Sequence, residues 1–298
     1  MGSRTLTGIN VLSTFDGISC GLVALQRAGI KVNQYFASEV DRYAEQISQR
    51  HHPNIIRLGT VINWRSWKLP KIDLLIGGPP CQGFSNSGSG LNFLDPRSRL
   101  FFEFADILHF HQQTNPNLLF MLENVKMRLA WARIISGHVG VQPIEVDSAL
   151  LSAQTRKRLY WTNIKGMRLP KDRGIMLRDI LIPDADLRDI IPSMIHTEKA
   201  VAYMNRRVAD GRTHWDFEHH SNIHNDKSAC ITANTYKGVP YNVLVTENLI
   251  RKFHPVECER LQTLEDRYTE GVSDTQRYKT IGNGWTVDVI AHILGNMT

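Results

Sequence analysis

From Ile9 to about Asn163, short apolar runs alternate with amphipathic stretches, and any fold this chain adopts has to accommodate that rhythm. Asn10–Phe15 and Gln34–Ser38 read as strands, with Gly21–Ala28 and Asp41–Arg50 as the helices that follow them. The pattern continues through a strand at Ile72–Ile76, a long loop, a helix from about Ser98 to His111 and a strand at Leu118–Leu122 after Asn115-Pro116-Asn117. Strands separated by helices are most economically joined as a parallel sheet with helices on both faces, so the expected class is α/β, doubly wound and mostly parallel. After about Lys165 the rhythm breaks: Arg168–Asp189 is rich in Pro, Asp and Arg, and Arg206–Asn225 is polar, His-rich and aperiodic. A smaller second domain is expected over 166–275. The first domain, 1–165, is completed by 276–298, where Val287, Ile290, Ala291 and Leu294 return to helical spacing.

Composition narrows the function class. A chain of 298 residues, 42% hydrophobic and 21% charged, can bury a core without disulfide or metal staples. Apolar stretches such as Leu118–Leu122 fall far short of the ~20 residues that span a bilayer, and Met1–Leu12 lacks the charged and apolar regions of a secretion signal. A cytoplasmic protein with no membrane partner is expected. Cys20, Cys81, Cys230 and Cys258 are widely spaced, with no C-x-x-C pair, which speaks against a disulfide framework or a zinc knuckle. A net charge of +6 is compatible with a polyanionic partner but does not demand one.

The first strand ends in STFDGISCGL (Ser13–Leu22), which places Gly17 and Gly21 where small residues let backbone amides approach a ligand; a bare strand-to-helix turn is the alternative. The second ends in SEVD (Ser38–Asp41). An acid about 20 positions after a glycine turn is where nucleotide-binding sheets hold ribose hydroxyls, although Glu39 could equally serve a helix N-terminus. The strongest signal is DLLIGGPPCQGFS (Asp73–Ser85), an apolar strand delivering Cys81 at the ligand-bearing edge. Prolines stiffen the backbone before the thiol, and Gly83, Gly88 and Gly90 follow it, a pattern that suits a nucleophile beside a closing loop better than an inert buried cysteine. LLFMLENV (Leu118–Val125) brings Glu123 to the same edge, where partial desolvation would favour its proton-donating form. In AQTRKRLYW (Ala153–Trp161), Arg156 and Arg158 share a face if extended and suit a carboxylate, a phosphate or a base carbonyl; a solvated basic face is the plainer alternative.

The order of GGPPCQGFS, ENV, QTRKR, PVECERLQT (Pro255–Thr263) and GNGWTV (Gly282–Val287), with STFDGISCG, SEVD and DPRSRLFFE (Asp95–Glu103), resembles the cytosine-5 DNA methyltransferases over nearly the whole chain. The Phe-Asp-Gly turn and the Trp in GNGWTV resemble phage and bacterial relatives of the vertebrate de novo enzymes. The resemblance implies an S-adenosylmethionine-dependent methyltransferase fold bearing cofactor and catalytic residues, with the smaller domain recognising the target. It implies that Cys81 attacks carbon 6 of a flipped cytosine, that Glu123 contacts ring nitrogen 3 and the exocyclic amine, and that Arg156 and Arg158 hold the base carbonyl and that carboxylate. Phe15, Gly17, Ile18, Glu39, Val40, Thr60, Val61, Pro80, Leu100 and Asn283 would bind S-adenosylmethionine, leaving S-adenosylhomocysteine as product. Gln82, Ser85, Arg97, Thr232 and Lys237 would contact double-stranded DNA, with Ser85 and the loop to about Gly90 closing over the base. A monomer in a bacterial or phage-infected cell, serving DNA methylation or restriction-modification, completes the expectation.

Two positions depart from the family pattern. Thr60 stands where many relatives carry an Asp that contacts the adenine amine, and Ser19 stands where many carry Gly. The region from Lys165 to Ile250 intersperses Arg168, Arg173, Arg178, Arg206, Arg207, Arg212 and Lys237 with Trp215, Phe217, Tyr236 and Tyr241, as a surface that positions phosphates would. Within it, SACITANTYKG (Ser228–Gly238) resembles the threonine-rich stretch common to such regions. His214, His219, His220 and His224 have irregular spacing and no cysteine pairs nearby, so no metal is expected. The tRNA-methylating branch shares the fold and the Cys81 chemistry but usually lacks so developed a recognition region. Intact Cys81, Glu123, Arg156 and Arg158 argue against a catalytically dead binding module.

Overall fold

The structure is a computed structural model that describes residues 8–80, 99–187, 202, 221–222, 226–238, 241–245 and 250–297. It divides into two compact units: Met1–Val146 with Lys157–Leu169 and Ile290–Thr298, and Asp147–Arg156 with Pro170–Val289.

The first unit is built on a seven-stranded sheet. Its strands are β1 (Ile9–Thr14), β2 (Val32–Ser38), β3 (Ile56–Arg57), β4 (Leu74–Gly77), β5 (Leu119–Val125), β6 (Ile144–Asp147) and β7 (Lys157–Thr162). They lie in the order β3-β2-β1-β4-β5-β7-β6. β1 pairs in parallel with β2 and β4, β2 with β3 and β4 with β5, while β7 runs antiparallel to β5. The chain thus builds outward from β1 to β3, returns, and starts again at β4 on the other side. That reversal opens a crevice at the carboxyl ends of β1 and β4, where open α/β sheets bind ligands. The doubly wound, mostly parallel architecture expected from the alternation is the one observed.

Local sequence explains the layers. Every residue of β4 and the central five of β5 are buried, as strands covered on both faces require. The helices α1 (Cys20–Arg27), α2 (Arg42–His51), α3 (Arg99–Thr114) and α4 (Leu129–Val139) supply the covers. α3 turns Phe101, Phe104, Ala105 and Leu108 inward at helical spacing, against Leu75, Phe120 and Leu122 of the sheet. Its end falls at Thr114, a turn beyond the expected His111, because Asn115 closes it: the backbone N–H donates to His111 O at 2.8 Å and the side chain to Ile72 O at 2.8 Å. β5 continues past the expected Leu122 because β7 pairs with its last residues, Glu123 opposite Tyr160 and Val125 opposite Arg158. Gly77 is dictated by packing, since a Cβ there would lie 2.3 Å from Thr14 Oγ1 and 2.9 Å from the Phe104 ring.

The second unit contains α5 (Leu177–Ile180), a small sheet of β8 (Ser221–Asn222), β9 (Leu244–Val245) and β10 (Ile250–Arg251), then α6 (Pro255–Leu261) and α7 (Asp274–Asn283). Its core gathers Leu177, Ile231, Leu244, Phe253, Leu261 and Ile281. The apolar pattern over Lys279–Leu294 proves to be two helices, α7 and α8 (Val287–Leu294), because Gly284 caps the first in extended backbone. PVECERLQT is structural throughout. Pro255 opens α6, and Glu257 caps it by accepting from His254 N at 2.7 Å while holding Arg251 bidentately at 2.8 Å. Gln262 donates to Ile281 O at 2.9 Å and Gly284 O at 3.0 Å and accepts from Gln154 Nε2 at 3.0 Å. Among the described residues, no helix is long and apolar enough to cross a membrane.

Candidate active site

Phe15, Gly17 and Ile18 follow β1, Glu39 and Val40 follow β2, Thr60 and Val61 follow β3, and Pro80 follows β4, so all of them emerge at the carboxyl edge of one sheet. The turn after β1 is unusual. Phe15, Gly17 and Ser19, at alternate positions, have φ of 57°, 59° and 63°, in left-handed backbone that L side chains adopt at a cost. Gly17 has open space where a Cβ would project. Glu39 reaches back across this turn: its Oε2 accepts from Gly17 N at 2.7 Å, and its Oε1 accepts from Val40 N at 2.7 Å and Asp41 N at 2.8 Å. The helix N-terminus that might have claimed Glu39 is served by Asp41, which accepts from Tyr43 N at 2.8 Å. Thr60 caps the 3-10 turn Val61–Ser66, its hydroxyl oxygen accepting from Ile62 N at 3.4 Å. Val61 is buried, Leu100 on α3 is half-buried, and Val40 is exposed.

Asp16, inside the same turn, is buried and accepts from Ser19 Oγ at 2.5 Å and from the Tyr35 hydroxyl at 2.7 Å. Burial pushes its carboxyl above the ordinary carboxylate range, against the pull of the hydroxyls that bond it, and pushes the Tyr35 phenol well up. Sequence reasoning passed over Asp16 as a side chain, and over Ser48 and Arg57. No local pattern marks them, because their contacts join elements far apart in the chain.

At the end of β5, Glu123 is 9% exposed and pairs with Arg158 of the neighbouring β7, Oε1 to Nε 3.1 Å. Asn124 donates from Nδ2 to Pro79 O at 3.3 Å, which fixes the ENV stretch to the Gly-Gly-Pro-Pro segment. Cys81, Gln82, Ser85 and Arg97 lie outside the described residues, as do His214, His219, His220 and His224. Of the other cysteines, Cys20 and Cys258 are buried, and burial beside Glu257 and Glu259 pushes the Cys258 thiol well up. The described residues contain no group of three His, Cys, Asp or Glu able to hold a metal.

The two arginines of QTRKR have different surroundings. Arg158 belongs to the first unit and stands beside Glu123, whereas Arg156 belongs to the second. Arg156 is 5% exposed; it donates to Ile231 O at 2.9 Å, Gly284 O at 3.0 Å and Gly282 O at 3.3 Å, with Cys230 Sγ at 3.3 Å. It therefore ties SACITANTYKG to GNGWTV. The two stretches touch so closely that a Cβ at Gly282 would lie 2.2 Å from the Thr232 carbonyl carbon. Asn283 is the last residue of α7 in this unit. Thr232 and Lys237 are exposed on the same stretch. Lys237 Nζ lies 5.7 Å from the Tyr236 ring and 5.6 Å from that of Tyr241, and Lys279 Nζ lies 5.5 Å from Tyr236, a small cationic and aromatic platform.

A family model described as C-5 cytosine-specific DNA methylase matches residues 9–131 and 162–298. The type II methyltransferase M.HhaI of Haemophilus parahaemolyticus is 24% identical over 319 residues, covering 99% of this chain and 95% of that protein. The orphan methyltransferase M.Rho11sI of Bacillus phage rho11s is 36% identical over 184 residues, covering 57% of this chain and 36% of that one. Among solved structures, the Entamoeba histolytica methyltransferase EhMeth superposes with a TM-score of 0.71 at 17% identity, covering 98% of each chain, a likeness of fold.

Proposed function

The chain belongs to the C-5 cytosine-specific DNA methylase family, and from that membership we propose that Cys81 adds to carbon 6 of a flipped cytosine so that carbon 5 can accept a methyl group. The observation that carries this reading is the Asn124 to Pro79 hydrogen bond of 3.3 Å. It ties the backbone two residues before Cys81 in sequence to the neighbour of Glu123, which supports a shared role for the two motifs. The burial of Cys20 and Cys258 removes two of the other three thiols from use.

Carbon 5 of cytosine is a poor nucleophile. When the Cys81 thiolate bonds to carbon 6 and Glu123 delivers a proton to nitrogen 3, the ring becomes an enamine whose carbon 5 is electron-rich. S-adenosylmethionine supplies an electrophilic methyl sulfonium. After transfer, loss of the carbon 5 proton expels the thiolate, nitrogen 3 returns its proton, and aromaticity is restored. Arg158 orients Glu123 and meets the base carbonyl, and Arg156 braces the recognition stretch.

The residues after β1, β2 and β3 fit this cofactor. The open, left-handed Gly17 admits close backbone approach, and the Glu39 carboxylate, held by backbone N–H groups, is an acceptor for ribose hydroxyls. Phe15, Ile18, Val40, Thr60, Val61, Pro80, Leu100 and Asn283 are assigned to the same cofactor by the family resemblance. Double-stranded DNA is the substrate, with Gln82, Ser85, Arg97, Thr232 and Lys237 as its contacts. We assign cofactor binding and catalysis to 1–165 with 276–298 and recognition to 166–275, a division by role that differs from the compact units, in which Asp147–Arg156 and 276–289 belong to the second. A monomer acting in the cytoplasm of a bacterial or phage-infected cell accords with the likeness to type II methyltransferases.

Fluorine at carbon 5 tests the mechanism, because it cannot leave as a proton. Duplex DNA with 5-fluorocytosine in the target, incubated with S-adenosylmethionine, should give an adduct that survives denaturing electrophoresis. Cys81→Ala should abolish the adduct, and Glu123→Gln should slow its formation by ~100- to 10,000-fold. Trapping of fluorinated tRNA in preference to DNA would assign the chain to the other branch. No adduct with either substrate, while unmodified DNA is methylated, would overturn the covalent route.

A further inference from the structure

The left-handed turn at the cofactor edge is held from outside itself, through Ser19. Ser19 is fully buried, and its hydroxyl lies 2.5 Å from Asp16 Oδ2 and 2.6 Å from Ser48 Oγ on α2. Ser48, also fully buried, accepts from both Nη1 and Nη2 of Arg57 on β3, each at 3.2 Å. A serine hydroxyl has one proton to donate, and a carboxylate has none. With Asp16 ionised, the direction of the chain is therefore fixed: Arg57 donates to Ser48, Ser48 to Ser19, and Ser19 to Asp16. The guanidinium is linked through two hydroxyls to a carboxylate that also receives the Tyr35 hydroxyl at 2.7 Å. Asp16 stands between Phe15 and Gly17, and its backbone N–H is held by Ser38 O at 3.1 Å.

We propose that Ser19 is a positioning residue for the cofactor, acting through Asp16 to fix the Phe15–Gly17 backbone. The relay explains how Ser occupies a left-handed position that ordinarily favours Gly: the hydroxyl's bonds offset the strain and couple the turn to α2 and β3. Without the relay, the turn is free to leave the geometry in which Gly17 N meets Glu39 Oε2 at 2.7 Å. This inference rests on the reading of that edge as the cofactor site.

The test is calorimetric titration of the full chain with S-adenosylhomocysteine, alongside steady-state kinetics on DNA and thermal unfolding. Ser19→Ala should weaken binding about tenfold, the weight of one hydrogen bond to a charged group, and should raise the KM for S-adenosylmethionine in proportion with kcat little changed. Ser48→Ala should weaken binding in the same direction, and the double variant should be no weaker than Ser19→Ala alone, because both cut one relay. Ser19→Gly, which relieves the backbone strain, should bind more tightly than Ser19→Ala. Unchanged affinity in a folded Ser19→Ala protein with a lowered melting temperature would reduce Ser19 to a structural role, and additive losses from Ser19→Ala and Ser48→Ala would overturn the relay. If Glu39→Ala loses binding while Ser19→Ala does not, this inference fails alone; if the unaltered chain does not bind S-adenosylhomocysteine, the reading of the site fails with it.

Discussion

Thr60 serves the backbone of the turn that follows β3. Its hydroxyl oxygen caps a 3-10 turn through Ile62 N at 3.4 Å, a long and weak bond. Thr60→Asp would supply a carboxylate able both to cap that turn and to accept from the adenine amine. S-adenosylmethionine binding should tighten several-fold, within the ~1.5 to 3 kcal/mol that a hydrogen bond to a charged group contributes. Titration calorimetry showing equal or weaker binding would refute the assignment of Thr60 to the adenine. Thr60 entered only through the family resemblance, because β3 before it is two residues long and carries no periodicity of its own. Ser19 was legible only as a departure from pattern; its partners, Ser48 on α2 and Arg57 on β3, required the fold.

At the scale of elements, the brace formed by Arg156 decides whether α7 and the SACITANTYKG stretch keep their register. Its guanidinium bridges Ile231 O, Gly282 O and Gly284 O, and a lysine ammonium, a point charge without a planar fork, cannot span all three. Arg156→Lys should lower stability by ~1 to 3 kcal/mol, the cost of leaving buried carbonyls unpaired. It should also weaken DNA binding by displacing Thr232 and Lys237, with the yield of 5-fluorocytosine adduct at saturating DNA largely retained. If DNA affinity is unchanged in a destabilised variant, the brace does not set the recognition surface. The sequence suggested one ligand for the two arginines because an extended strand puts alternate residues on one face. The chain instead passes between the two units after Arg156, so the arginines serve different neighbours.

At the scale of the whole molecule, imidazoles that lose solvent on folding, the buried His111 and the half-buried His52 and His254, contribute to the response to acid. Burial lowers the pKa of His52 to about 4, with His51 and Arg57 adding to the effect, and burial also lowers those of His111 and His254. A group whose folded pKa lies below its unfolded value contributes stability that is full above the unfolded value, near 6.5, and is lost as pH falls through the folded one. The melting temperature should therefore decline from about pH 6.5 toward pH 4, and His52→Gln should flatten part of that decline. Asp16, whose carboxyl is raised, works the other way, its contribution growing as pH falls through its folded value. Thermal melts across this range that are identical for His52→Gln and the unaltered chain would exclude His52 as a contributor.

The sequence by itself determined the class of fold, because alternating strand and helix periodicities leave a parallel sheet as the economical arrangement. It also brought the glycine turn, Glu39, Pro80 and Glu123 to one edge of the sheet, because all of them follow or end strands running the same way. What it left open were relations between residues distant in the chain. The reversal of β7, which carries Arg158 to Glu123, arises from strand pairing. The transfer of Arg156 to a bracing position arises from the packing of Gly282 against Thr232. The relay from Arg57 to Asp16 arises from the meeting of a turn, a helix and a strand. Periodicity is a local property of the chain, whereas a buried polar group takes whichever partner the tertiary fold brings within hydrogen-bonding distance.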